Sequence, residues 1–250
     1  MSYQLPHEDR LGFCNIFLSA IGGDGANMAA KLLFKIAVSE LDLDGAYDAK
    51  YGSEKKGTPT DVSLRLCKPG VPVRTSGPTD SPHIMAIFRA GLIESLQLNR
   101  GLQANATVIV NTTESPDTIR EQLKLNSGTI ICVDAERISD DSKSRLNMPM
   151  MALVARSIGI PSDVVADIVA KQWPFVKDAN LSAFNAAYDA IVEKTYEPRD
   201  DFPLVAPSTV TRGQIGYKNM LNGGAINALF HSTTNRNNQV AGYGFVPEFN

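Results

Sequence analysis

The stretch GFCNIFLSAIGGDGANMAAKLLFKIAVSEL, residues 12–41, decides how the rest of the chain is read. Residues 12–21 are an apolar, aromatic-rich run of strand length, and they end in the turn Gly22, Gly23, Asp24, Gly25. From 26 to 41, apolar residues recur at Met28, Leu32, Leu33, Ile36 and Ala37, the spacing of a helix with one face on a core. Strand, glycine turn and helix make the first half of a βαβ unit.

The alternation continues outward. Residues 45–51 read as a short second strand, 52–59 as a polar loop, and DVSLRLC (61–67) as a strand with one wet face. Pro69, Pro72, Pro78 and Pro82 break the next stretch. HIMAIF (83–88), ATVIV (106–110) and TIICV (129–133) are buried strands, separated by helices at 92–98 and 117–125. Beyond Asp134 the pattern is helical at 148–158 and 163–170, and clearest at LSAFNAAYDAIVEKT (181–195). The expected fold is α/β: a Rossmann-like, doubly wound, mostly parallel sheet with helices on both faces, over residues 1–198. Residues 199–250, rich in Gly, Asn, Pro and Thr, are expected to form an extended C-terminal arm that contacts partner subunits.

With 250 residues, 43% of them hydrophobic, the chain can bury one full α/β core. A net charge of −3 forces no strongly basic face, which argues against a general nucleic-acid footprint. No apolar run approaches the roughly 18 residues of a membrane span, and residues 1–12 lack the pattern of a signal peptide. Cys14, Cys67 and Cys132 are widely spaced inside strand-like runs and read as buried thiols of a reducing, cytoplasmic compartment. Without a CxxC pair, the chain is expected to hold no iron–sulfur cluster and no metal of its own.

Two loops carry ligand chemistry. In the first, backbone N–H groups of the 22–25 turn and the helix start behind it can cradle an anion. The alternative is a tight turn with Asp24 as helix cap. A dinucleotide fingerprint is incomplete, because Ala20 stands where the first glycine is needed, and neither Asp44 nor Asp48 clearly ends a strand. The second loop, Tyr51-Gly52-Ser53-Glu54-Lys55-Lys56-Gly57-Thr58, sets two lysines beside glycine, a compact cationic site for phosphate or else a solvated turn. In a doubly wound sheet both loops lie at the same ligand-binding rim. Asn111 and Thr112, after the strand at 106–110, face that rim too, or serve the turn.

Taken together, the two motifs resemble the gamma domain of the thiamine-diphosphate-dependent 2-oxoacid:ferredoxin oxidoreductases. Multi-subunit members carry G-x-G-G-Q-G and then Y-G-P-E-x-R-G-G before a strand ending in Arg. Here Ala20-Ile21-Gly22-Gly23-Asp24-Gly25 precedes the Tyr51–Thr58 loop and Arg65. Single-chain pyruvate enzymes carry G-L-G-S-D-G, which Asp24 matches, and their following helix lysine corresponds to Lys31. The resemblance spans 12–196, with Ala20, Ser53, Lys56 and Thr58 as departures. It implies a gamma subunit that covers the thiamine diphosphate site and helps bind coenzyme A. Oxidative decarboxylation of a 2-oxoacid would take place on companion chains, with electrons passing to a ferredoxin-type acceptor. Thiamine diphosphate, Mg and 4Fe–4S clusters would belong to alpha, beta and delta subunits, coenzyme A would be shared, and no catalytic residue is expected here. The implied coenzyme A phosphate site is Gly22, Gly23, Asp24, Gly25, Lys31, Lys55, Lys56, Gly57, Asn111 and Thr112. The competing readings are a free-standing NAD- or FAD-binding Rossmann oxidoreductase and an assembly subunit with a vestigial ligand site.

Overall fold

The computed structural model describes residues 3–52, 57–74 and 77–207. The expected ligands Lys55 and Lys56, and residues 208–250 of the arm expected over 199–250, lie outside these described residues.

The chain runs β1 (Phe13–Ile21), α1 (Ala26–Glu40), β2 (Asp44–Tyr51), β3 (Pro59–Cys67), β4 (Ile84–Ile87), α2 (Leu92–Ser95) and β5 (Ala106–Asn111). It continues through α3 (Pro116–Leu123), β6 (Gly128–Val133), α4 (Ala135–Asp141), α5 (Asn147–Ile158), α6 (Ser162–Gln172), α7 (Lys177–Asp189) and β7 (Val192–Tyr196). Among the described residues the strands form one seven-stranded sheet in the order β2-β3-β1-β4-β5-β6-β7. β1, β4, β5 and β6 are parallel neighbours, and every residue of β4 is buried, as expected for strands covered on both faces. β3 and β7 run against them, so five of the seven strands point the same way and the sheet is mostly parallel, as expected.

Side chains alternate across this sheet into two cores. Ile16, Leu18, Leu64 and Ile84 pack with α1, α5, α6 and α7 on one face. Met85, Val108, Val110 and Ile130 pack with α2 and α3 on the other. Because α1 covers one face and α2 the opposite one, the carboxyl ends of the neighbouring strands β1 and β4 flank a topological switch point, where ligands enter such sheets.

The chain differs from expectation at its C-terminal side. The helix predicted over 181–195 ends at Asp189, and residues 192–196 form β7, antiparallel to β6. Val192 to Thr195 are all exposed on this edge, so the strand lacks the alternation that would betray it in sequence. Its side chains are fixed by partners far away in the chain: Glu193 by Arg156, and Lys194 and Tyr196 by Asp117. After β7 the chain stays on the domain to Pro207. Asn126 Nδ2 donates to the carbonyls of Arg199 (3.0 Å) and Phe202 (2.7 Å), and the Gly101 N–H donates to that of Val205 (2.8 Å).

Asn111 holds the rim of the parallel core together. Its buried Nδ2 donates to the Phe88 carbonyl after β4 (3.0 Å), and its Oδ1 accepts from the Ala135 N–H at the start of α4 (2.9 Å). Replacing it leaves both backbone groups unpaired in the interior. Asn111→Ala is therefore expected to lower unfolding free energy by about 2–4 kcal/mol in urea titrations with unchanged m-value. A loss under about 0.5 kcal/mol, typical of a surface site, would rule out this bracing role.

Candidate functional site

The glycine turn leaves β1 at Ile21, and Gly23 (φ 117) and Gly25 (φ 85) take the left-handed conformations that only glycine adopts without strain. A Cβ on Gly25 would also lie 3.0 Å from Asn147 Cβ. Gly25, not Asp24, is the helix cap, so α1 starts with no side-chain cap and no acid in its first turn. Its first N–H groups, with no side-chain cap among the described residues, therefore present the positive end of the helix dipole to the rim.

Asp24 turns the other way. Its Oδ2 accepts from the Ile21 N–H (3.1 Å) and from Arg89 Nε (3.0 Å), and its Oδ1 accepts from Arg89 Nη2 (2.7 Å). This two-pronged guanidinium contact is the strong form of the pair, and the Asp24 side chain is only 10% exposed. Arg89, just past the carboxyl end of β4, also pairs with Glu136 at the start of α4. The negative charge that would have opposed an anion at the glycine turn is thus turned inward and compensated across the β1–β4 crevice.

The second loop joins β2 to β3 as an antiparallel hairpin and is bonded directly to the first. The Gly22 N–H donates to the Thr58 carbonyl (2.8 Å), and the Gly57 N–H donates to the Gly22 carbonyl (3.2 Å). Gly52, on the other side of the lysine segment, donates to the Pro59 carbonyl (3.2 Å). The residues flanking Lys55 and Lys56 are therefore anchored beside the glycine turn. Between the loops opens a cleft of about 230 Å³ bordered by Gly22, Gly23, Asn27, Lys31 and Tyr51. Asn27 donates to the Tyr51 hydroxyl, while its own carbonyl is buried with no partner among the described residues. Lys31 Nζ sits 5.9 Å from the centre of the Tyr47 ring, a cation–π contact that holds it against β2.

Of the expected ligands, Gly22, Gly23, Gly25 and Lys31 meet in this cleft and Gly57 adjoins it. Asp24 stands behind it on Arg89. Asn111 is committed to the scaffold, and Thr112 closes its own turn by accepting the Glu114 N–H (3.1 Å). Arg89, Asn27 and the Tyr51 hydroxyl were not singled out from sequence. The one available signal was position, since Arg89 follows a buried strand and Asn27 lies in the first turn of a helix behind glycines.

Other reactive groups lie elsewhere. His83 accepts the Asn15 N–H through Nδ1 (3.0 Å) and stacks on His7, with ring centres 5.5 Å apart. Both sit at the amino ends of β1 and β4, opposite the cleft, and burial lowers their pKa values. The cysteines are buried and unbridged, and burial pushes the Cys14 and Cys132 thiols up to about 12. Asp44 opens β2, Asp48 lies within it, and β3 separates that strand from β1, so neither acid takes the place a dinucleotide ribose requires.

Residues 15–190 match the family model described as pyruvate ferredoxin/flavodoxin oxidoreductase. The chain is 28% identical over 141 residues to the pyruvate/ketoisovalerate oxidoreductases common subunit gamma of Pyrococcus abyssi, covering 56% of this chain and 75% of the relative. It is 31% identical over 121 residues to the pyruvate synthase subunit PorC of Methanosarcina barkeri, covering 48% and 63%. Among solved structures, pyruvate oxidoreductase subunit PORC of Thermotoga maritima superposes with a TM-score of 0.64 at 23% identity, over 73% of this chain and 99% of that one. No helix among the described residues is long and apolar enough to cross a membrane. The expected likeness to a gamma-type domain therefore holds. Since the match runs from β1 to the end of α7 and takes in both loops of the cleft, the chain belongs to the pyruvate ferredoxin/flavodoxin oxidoreductase family.

Proposed function

We propose that this chain is the gamma subunit of a heteromeric 2-oxoacid:acceptor oxidoreductase. In this reading it covers the thiamine diphosphate site of companion subunits and binds coenzyme A phosphates between the glycine turn and the β2–β3 hairpin. One observation carries the reading: Gly22 is hydrogen-bonded to the hairpin in both directions, which sets the flanks of Lys55 and Lys56 beside the uncapped start of α1. Helix N–H groups, Lys31 and two further lysines suit a polyanion. The compensation of Asp24 by Arg89 removes the one opposing charge in the turn. The buried side-chain carbonyl of Asn27, without a partner among the described residues, leaves an acceptor for a ligand donor in the same cleft.

The division of labour follows from what the chain offers. Coenzyme A, when bound, supplies the thiol that accepts the acyl group. This chain's residues hold its phosphates and shield the reacting centre, and no residue here is assigned to bond breaking. Thiamine diphosphate, Mg and 4Fe–4S clusters are placed on the alpha, beta and delta subunits, with a ferredoxin-type protein as acceptor. Of the arm expected over 199–250, residues 199–207 are held on the domain, and residues 208–250 are proposed to contact those companions.

In the assembled enzyme, Lys55→Glu with Lys56→Glu is expected to raise the KM for coenzyme A at least about tenfold, with kcat and assembly nearly unchanged. An unaltered KM would leave only a structural role for the hairpin. Arg89→Met should cost about 1–2 kcal/mol of stability, discounted for its partial exposure, and should raise the same KM. Adding Asp24→Asn should restore much of both, and a double variant no better than Arg89→Met would refute charge compensation. Truncation after Pro207 should preserve the fold while reducing co-purification of the companion subunits. Full recovery of the complex would remove the tail from the interface.

A further inference from the structure

Residues 3–12 lie at the end of the sheet opposite the cleft and are fastened there at three points. At one end, the Tyr3 hydroxyl donates to the Ile158 carbonyl at the close of α5 (2.9 Å), and Leu5 is buried in the core. At the other end, Asp9 forms the turn into β1. Its Oδ1 accepts from the Leu11 (2.8 Å) and Phe13 (3.0 Å) N–H groups, and its Oδ2 accepts from Asn15 Nδ2 (2.9 Å). Between these anchors the His7 ring lies flat on the His83 ring, with 5.5 Å between centres and 4° between planes. His83 is held in place by the sheet. Its N–H donates to the Asn15 carbonyl (2.8 Å) and its carbonyl accepts the Thr107 N–H (2.8 Å), which ties it to β1 and β5 at once. Its buried ring accepts the Asn15 N–H through Nδ1 (3.0 Å).

An imidazole that accepts through Nδ1 carries its one proton on Nε2, and a second proton would set N–H against N–H. Charging both rings would also stack one cation on another. The surrounding charges do not reverse this balance. Glu8 is paired with Lys68 (2.6 Å), Arg10 adds a further exposed cation, and burial keeps the neighbouring Cys14 thiol neutral. Asp9 favours a charged His83, but burial, together with the His7 ring, outweighs it, and burial likewise lowers the pKa of His7. We infer that the His7–His83 stack is an acid-sensitive latch: the neutral pair holds residues 3–12 on the sheet, and proton uptake releases that segment while the sheet stays folded. Because the folded-state values lie below 6.5, the latch is closed above about pH 6.5 and opens as pH falls through those lowered values. Asp9 does not titrate alongside it. Burial opposes its charge, but hydrogen bonds from Phe13, Asn15 and Leu11 more than offset that and hold its carboxyl below the usual range. Opening frees Tyr3 from α5 and uncovers the amino end of β1, a surface remote from the cleft, so the inference is independent of the coenzyme A reading.

Amide hydrogen exchange of the full 250-residue protein, read by mass spectrometry and divided by the intrinsic rate at each pH, tests the latch. Between about pH 7.5 and about pH 5, protection of residues 3–12 should fall at least about tenfold, while that of β5 and β6 changes by less than about threefold. His7→Phe with His83→Asn keeps a flat ring and an acceptor near the Nδ1 position but removes both titrating groups. In that variant residues 3–12 should stay protected to within about threefold over the same range. If the pair fails to fold, as judged by circular dichroism, His7→Phe alone serves. It leaves one titrating ring, so the slope of log protection against pH should drop by about half. The inference falls if residues 3–12 keep their protection in acid, if β5 and β6 lose theirs in step, or if the variants release the segment as the unaltered protein does.

Discussion

The site depends on the pair of backbone hydrogen bonds at Gly22. A turn after a parallel strand and the tip of an antiparallel hairpin are separate pieces of chain, and nothing in their local chemistry obliges them to meet. Here β3 lies directly against β1, so the hairpin is delivered to the carboxyl end of β1 by the sheet itself. The Gly22 N–H and carbonyl, each bonded to the far loop, fix the spacing between the two. Backbone groups set this junction, so it tolerates the side-chain departures at Ala20 and Thr58. The glycines are needed where the turn goes left-handed or approaches Asn147.

Electrostatics then decide what the junction can hold. An aspartate inside the proposed anion cradle would be self-defeating, and the geometry turns its carboxylate away from the helix start onto Arg89. The same contact ties the carboxyl ends of β1 and β4 across the switch point, and Glu136 extends the tie to α4. The crevice is braced by charge on its inner side, and its outer side carries the start of α1, which has no side-chain cap among the described residues.

Much of this was readable in the residues. Apolar runs at 83–88, 106–110 and 129–133 announce strands covered on both faces, and the glycine turn announces the first crossover. The two ligand loops could be placed at one rim because both follow strands that end there. What could not be read were pairings over long sequence distances. Arg89 after a buried strand looks like any surface arginine until folding brings Asp24, 65 positions away, against it. Asn111 at a strand end looks ready for a ligand, yet the register of β4 and β5 and the start of α4 claim both ends of its amide. β7 is an edge strand of five residues with four exposed, and its pattern matches the outer turn of a helix equally well. Only its pairing with β6 tells the two apart.

That last strand has a consequence for how the subunit meets its neighbours. An unprotected outer strand invites another chain to add alongside it, the usual route to uncontrolled polymerisation of sheets. β7 is short, and it carries Glu193 and Lys194 in ion pairs with Arg156 and Asp117. At the opposite margin, β2 presents Asp44, Asp48 and Lys50. Charges at both margins disfavour continuation of the sheet from one molecule into the next. Growth of the sheet from either of these two margins is thereby disfavoured, and the loop-bearing rim lies at the ends of the strands rather than along either margin.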